Sequence, residues 1–408
     1  MSDFSNGLEA MTTGAVISPF SPLRKLLEDV PAGHAKPIDL TLGEPRETMP
    51  SFIADKIREA EALFAKYPPI KGSDELRGAI SDWLSRRYGL GGAHRVDPSR
   101  EILPTNGSRE GLYFAALPAV GRKRVDERPA ILICNPYYQA YFGAALATGA
   151  EPVFLNATAA TSHLPDLDEI ATDEALLART AAFYLCSPAN PQGAIADAAY
   201  IARALDLARR HDFMLFFDEC YSELYTGAPP AGGLEVAAAT PQRFANIVVF
   251  NSLSKRSNLP GLRSGFCAGD AGFIETLSEV RNLVGPTMPG PIQHASAAAW
   301  GEDQHVVSNR LAYQQKYDVC DDVLEGRYGY RRPAGGFFLW LDLSQFGGGV
   351  EATVTIWKRA GVRVIPGAYL AQAGRDGTNP GADYVRVALV ADPETIREAL
   401  GRIVSVLA

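Results

Sequence analysis

Short apolar runs punctuate the middle of the chain at 130–134, 152–155, 181–186, 214–217, 247–250 and 265–268. Each is four to six residues long, apolar throughout rather than alternating, and closely followed by turn-forming residues. Unbroken runs of this length suit strands buried on both faces, because a half-exposed strand would alternate. Segments with helical apolar spacing separate several of them, most clearly 198–211. Strands joined by helices predict a mostly parallel sheet with helices on each side, and ligands of such sheets gather beyond the carboxyl ends of the strands. Upstream, 52–64 carries helical spacing at Ile53, Ile57, Ala60, Leu63 and Phe64, and 74–88 predicts a helix with Ser73 as its cap. The stretch 18–22 reads as extended, since a proline pushes its predecessor out of the helical region. Beyond 290 the pattern predicts one long helix over much of 291–325, strands at 335–341 and 385–389, and a helix at 354–360.

These elements predict an α/β fold: a three-layer α/β/α large domain on a mostly parallel sheet, plus a smaller α/β domain. The expected division is 47–290 for the large domain, 18–46 plus 291–408 for the small one, and an N-terminal leader over 1–17. The 408 residues allow two or three domains, and 47% hydrophobic residues suffice for a large core. A net charge of −8 argues against nucleic acid as a partner, since phosphate backbones need a basic face. No stretch is apolar over the ~20 residues of a membrane span, and no signal peptide is expected. Five dispersed cysteines predict neither a disulfide framework nor a zinc site, and the six histidines lack ligand spacing, so no metal is expected. A cytoplasmic protein fits best.

The chemistry concentrates behind the apolar runs. Asn251-Ser252-Leu253-Ser254-Lys255 directly follows one run, and Pro260-Gly261-Leu262-Arg263 completes the loop. An amine at the mouth of a sheet is desolvated and so becomes a nucleophile. Hydroxyl and guanidinium groups beside it can hold a phosphate. The string S-L-S-K-R-S-N-L-P-G-L-R-S-G resembles the lysine signature of the class I/II aminotransferases, the fold type I enzymes dependent on pyridoxal 5'-phosphate (PLP). The resemblance implies that Lys255 carries the cofactor as a Schiff base and is the catalytic residue. It also implies that Arg263 binds the cofactor phosphate, with Ser252 and Ser254 beside it.

Other segments match the same family. Asp218, after the run 214–217, resembles the partner of the pyridine nitrogen, and Tyr221 the donor to the ring hydroxyl; a helix-capping Asp is the plainer reading. Asn190, in S-P-A-N-P-Q-G, is similar to the asparagine that meets both the ring hydroxyl and the substrate. Gly107 and Ser108 resemble the phosphate cup at a helix N-terminus, with Arg109 either part of it or facing solvent. Tyr138 matches the aromatic residue that stacks on the ring, with Tyr137 a neighbouring candidate. Tyr67 matches a tyrosine that reaches the site of a neighbouring subunit, which implies a homodimer. Arg386 and Gly43 resemble the groups that receive the substrate's α-carboxylate.

Within the family, 254–258, 288–296 and 300–318 resemble the bacterial N-succinyldiaminopimelate aminotransferases of lysine biosynthesis. Amino acid and oxo acid substrates are then expected, with glutamate as donor and Arg24 or Arg46 as candidates for a distal carboxylate. Segment 281–286 departs from that subfamily. The alternatives are an aspartate, alanine or acetylornithine aminotransferase, or a PLP-dependent carbon–sulfur lyase.

Overall fold

The computed structural model describes residues 18–285 and 287–408, so the leader expected over 1–17 lies outside the described residues. Seven strands form the central sheet: β1 Ile102–Thr105, β2 Ala130–Asn135, β3 Glu151–Asn156, β4 Thr180–Cys186, β5 Met214–Asp218, β6 Ile247–Ser252 and β7 Gly265–Gly269. Their order is β1-β7-β6-β5-β4-β2-β3. All neighbours from β3 to β6 pair in parallel, and β7 alone runs antiparallel, between β6 and β1.

The unbroken apolar runs are explained by two separate cores. Leu215 and Phe217 of β5 pack with Trp83, Ile201 and Leu205 on one side of the sheet. Met214 and Phe216 pack with Leu112, Ala116 and Phe273 on the other. Each fully buried Leu or Phe side chain contributes roughly 1.5–3 kcal/mol, so neither face tolerates a polar alternation.

A second sheet holds β8 Phe338–Asp342, β9 Ile365–Pro366 and β10 Tyr384–Ala388, with β10 in the middle and both pairings antiparallel. Its apolar face packs on helices Gln304–Leu324, Gly348–Ala360 and Pro393–Val406. Cys220, Tyr221 and Leu224, which follow β5, join this second core and tie it to the carboxyl end of the large sheet.

Local expectations are corrected at four places. Residues Phe20–Leu26 form a helix where extended chain was expected; Pro22 sits in its first turn, where no N–H is needed. The single helix over 291–325 is two, Gly290–Gly301 and Gln304–Leu324. Glu302 is extended at the break, and its carboxylate accepts from the backbone of Gln304 and His305. The helix predicted over 52–64 ends at Glu59 and resumes as a 3₁₀ turn, Glu61–Ala65. Helix Gly348–Ala360 begins six residues before the 354 expected, because glycine's weak helix propensity hides its first turn.

Candidate functional site

The sequence-derived candidates converge on the carboxyl edge of the large sheet. The register sets Cys186 beside Asp218, Asp218 beside Phe250, and Ser252 beside Gly265, which in turn faces Thr105. The residues that leave β1, β2, β4, β5 and β6 at this edge therefore share one mouth.

Lys255 lies in the short helix Leu253–Arg256, which Ser252 caps by accepting from the Ser254 N–H at 3.1 Å. Its Nζ donates to the Gly43 carbonyl and sits 5.2 Å from the centre of the Phe337 ring. Burial pulls its pKa down from 10.5 to about 8; the neighbouring Cys220 and Glu44 act against this, and Arg386 and Arg263 with it. An amine so placed exists partly in its neutral, nucleophilic form near neutral pH.

Asp218 ends β5 with its carboxylate buried. Tyr141 Oη donates to Oδ2 at 2.6 Å and the Cys220 N–H to Oδ1 at 3.0 Å. Burial raises its pKa, and those two donors only partly offset the effect. No cation pairs with it among the described residues. Tyr141 was not anticipated, although it stands one helical turn after Tyr138 in Asn135-Pro136-Tyr137-Tyr138-Gln139-Ala140-Tyr141. It stacks on Tyr184 with ring centres 4.6 Å apart. Tyr138 itself accepts from Arg109 Nε at 2.5 Å. Tyr137 turns instead into a cluster with Phe142 and Phe154.

Arg386 occupies the middle strand of the small sheet and is only 6% exposed. Nη1 donates to Asn190 Oδ1 at 3.2 Å and Nη2 to the Thr41 carbonyl at 2.7 Å. Its guanidinium lies 4.4 Å from the Phe338 ring centre, and its Nε has no partner. Burial lowers its pKa to about 10, and no carboxylate pairs with it among the described residues. Gly43 closes this corner; a Cβ there would come within 2.6 Å of Phe338 Cζ, so any side chain must displace the ring. Tyr221 packs edge-on against both Phe337 and Phe338.

A further cradle lies at the start of helix Ser108–Arg122. Gly107 has φ +80°, and a Cβ there would sit 2.3 Å from the Arg263 guanidinium. Arg263 donates to the Pro260 carbonyl at 2.8 Å and the Asn106 carbonyl at 3.2 Å. Ser252 Oγ and Ser254 Oγ lie 2.9 Å apart nearby. Free helix N–H groups, two hydroxyls and a guanidinium make an anion receptor. Arg109 is exposed and bound to Tyr138 rather than turned into this cradle.

Tyr67 stands apart from the site: its side chain is fully exposed. Arg24 and Arg46 are exposed as well and make no hydrogen bond with the site among the described residues. The five cysteines are free and buried.

The chain matches the family described as aminotransferase class I and II over residues 35–403. It is 30% identical to an LL-diaminopimelate aminotransferase from Desulforudis audaxviator, covering 94% of this chain and 95% of that one. Among solved structures, an aminotransferase from Neisseria meningitidis superposes with TM-score 0.90 at 38% identity, covering 96% and 97% of the two chains. Aminotransferase AspB from Helicobacter pylori follows with TM-score 0.85 at 32% identity, covering 95% and 97%.

Proposed function

The chain belongs to the class I and II aminotransferases, which depend on pyridoxal phosphate, and from that premise we propose a site and a substrate. The observation that carries the reading is a pair of buried, oppositely charged groups around one reactive amine. Asp218 and Arg386 each lack an ionic partner among the described residues, and Lys255 lies within electrostatic range of Arg386. Burying lone charges costs several kcal/mol apiece unless a ligand completes them. Asp218 would be completed by the cationic ring nitrogen of PLP and Arg386 by the carboxylate of an amino acid.

In this reading the phosphate rests in the cradle of Gly107, Ser108, Ser252, Ser254 and Arg263, and Asn190 and Tyr221 flank the ring hydroxyl. Tyr138 would cover the ring, held in place by Arg109. Bound PLP supplies an aldehyde that condenses with amines and a ring that takes up the electron pair left at the substrate's α-carbon. The Asp218 carboxylate, held by Tyr141, would keep a proton on the ring nitrogen. Lys255 Nζ would remove the proton from the substrate's α-carbon and return one to the cofactor's former aldehyde carbon, across the intervening amino nitrogen. Its lowered pKa suits it to both steps. Arg386 and the Gly43 backbone hold the α-carboxylate, so that the bond to be broken faces the amine.

The substrate we propose is a C7 diamino acid of the diaminopimelate type, aminated in its N-succinylated oxo form with glutamate as donor, in lysine biosynthesis. The resemblance of 254–258 and 300–318 supports the succinyl group. The free diamino acid is the second reading, favoured by the relative from Desulforudis audaxviator. The experiment is a half-reaction screen in which the aminated cofactor form is mixed with candidate oxo acids and its absorbance followed. Fastest conversion by the succinylated acid is expected; fastest conversion by oxaloacetate or pyruvate would overturn the substrate assignment.

We further read 47–290 and 18–46 plus 291–408 as the two domains, and a homodimer as the working form. Tyr67, Phe64 and Leu63 are all exposed and would be covered by a second copy. No helix among the described residues is long and apolar enough to cross a membrane. The five free thiols support a cytoplasmic setting.

A further inference from the structure

Segments 254–258 and 300–318 stand out in the sequence, and the fold packs one against the other. Directly behind Lys255, Ser257 Oγ lies 2.8 Å from His305 Nε2, and His305 Nδ1 meets the Glu302 carboxylate. A hydroxyl, an imidazole and a carboxylate in a row suggest a nucleophile, but Ser257 is completely buried and no substrate reaches it. The row is instead tied to its surroundings. Arg256 donates to Ser257 Oγ at 3.1 Å, to the Ala299 and Glu302 carbonyls at 2.8 and 3.2 Å, and to Asp303 Oδ1 at 2.7 Å. Asn309 Nδ2 donates to the carbonyls of Lys255 and Arg256 at 3.1 and 3.3 Å, and its Oδ1 accepts from Asn258 Nδ2 at 3.0 Å.

The proton order follows from the donors. The Glu302 carboxylate can only accept, so His305 Nδ1 carries the hydrogen; in the neutral ring Nε2 is then bare and accepts from the Ser257 hydroxyl, whose oxygen accepts from Arg256. The Arg256 charge, 3.5 Å from Nε2, opposes a second proton. Burial acts the same way and leads the lowering of the His305 pKa, against the pull of Glu302 and Asp303. From helix Asp74–Tyr88, Arg86 pairs with Asp303 at 3.1 Å, and Phe52 closes the remaining side with its ring.

We propose that His305 is a positioning residue for Lys255: through Ser257 and Arg256 it fixes the backbone that follows the lysine, so that only the amine moves at the site. The inference rests on Lys255 as the cofactor-bearing residue, yet its test needs no cofactor. In the apoprotein, competitive acylation of Lys255 with acetic anhydride, read by mass spectrometry across pH, reports the pH at which the amine becomes reactive. The wild-type midpoint is expected near 8. His305→Leu and Ser257→Ala loosen the segment and admit water to the amine, so the midpoint rises by about one pH unit and reactivity at pH 7.5 drops about tenfold. Glu302→Gln keeps an acceptor for the imidazole N–H and leaves the midpoint in place. Tyr200→Phe, which removes a remote bond to the Pro165 carbonyl, controls for stability loss alone. Folded His305 and Ser257 variants with a lower melting temperature but an unmoved midpoint would overturn the proposal. Failure of PLP to attach to wild-type Lys255 would instead overturn the reading of the site.

Discussion

Two buried arginines, Arg256 and Arg386, flank the reactive lysine, one next to it in sequence and the other arriving from the small sheet. They are 1% and 6% exposed, and burial brings both to a pKa of about 10. Their surroundings differ completely. Arg256 has the Asp303 carboxylate, two carbonyls and a hydroxyl, and it lies over Trp300 and Trp83 at 4.9 and 5.7 Å. Arg386 has one amide oxygen, one carbonyl and a phenyl ring, with no carboxylate among the described residues. Each has a buried Nε without a partner, so the carboxylate is the difference: a buried cation paired with one holds a structure together, whereas one without stores a demand for an anion. In the proposed site the first kind builds the platform beneath Lys255 and the second the receptor in front of it.

The largest effect tests the residue between them. Lys255→Ala is expected to lower turnover by at least about 10⁴-fold, measured by keto acid formation from glutamate, since nucleophile and base are lost together. The two arginines should then separate cleanly. Arg386→Met should lower kcat/KM by roughly 10²–10⁴-fold, from two charged hydrogen bonds at about 1.5–3 kcal/mol each, without lowering the apoprotein's melting temperature. Arg256→Met should do the reverse in stability, removing about 3 kcal/mol through lost hydrogen bonds and stacking, and lowering the melting temperature by several degrees. Equal thermal losses in the two variants would break the contrast.

Much of this contrast was legible in the sequence, and the rest was hidden for identifiable reasons. Unbroken apolar runs announced a doubly covered sheet, because each strand feeds two cores at once. Lys255, Asp218, Asn190 and Arg263 could be named because the segments that carry them resemble family motifs and stand at or just beyond strand ends. Tyr141 was missed because its role depends on a helical turn aiming it at Asp218, and composition does not encode aim. His305 was passed over as a histidine without ligand spacing; its partners Glu302 and Ser257 meet it only once 291–325 breaks into two helices. The helix at Phe20–Leu26 was hidden by prolines that are harmless in a first turn.

Smaller effects sharpen the picture. Tyr141→Phe removes one donor from Asp218 and should weaken PLP binding at least about tenfold in an absorbance titration, the low end of the about 1.5–3 kcal/mol of a charged bond. Glu219 points away from Asp218, accepting from the Gly233 N–H at 2.7 Å and from Tyr88 Oη at 3.0 Å, and burial lifts its pKa from 4.5 to about 7. A raised carboxyl pKa favours the folded state at low pH and loses that advantage as pH climbs through this window. Glu219→Gln should therefore erase that slope, so that the melting-temperature difference, variant minus wild type, grows between pH 4.5 and 7 and stays level above. A constant difference across pH would assign the carboxyl an ordinary pKa.

The most direct measurement is chemical. Apoprotein is incubated with PLP, reduced with borohydride, digested, and the labelled peptide sequenced by mass spectrometry. A single pyridoxyl label on Lys255, absent when Asp218→Ala blocks cofactor uptake, is the expected result. A label on another lysine, or none on a folded wild-type protein, would contradict the assignment on which the platform and the receptor both depend.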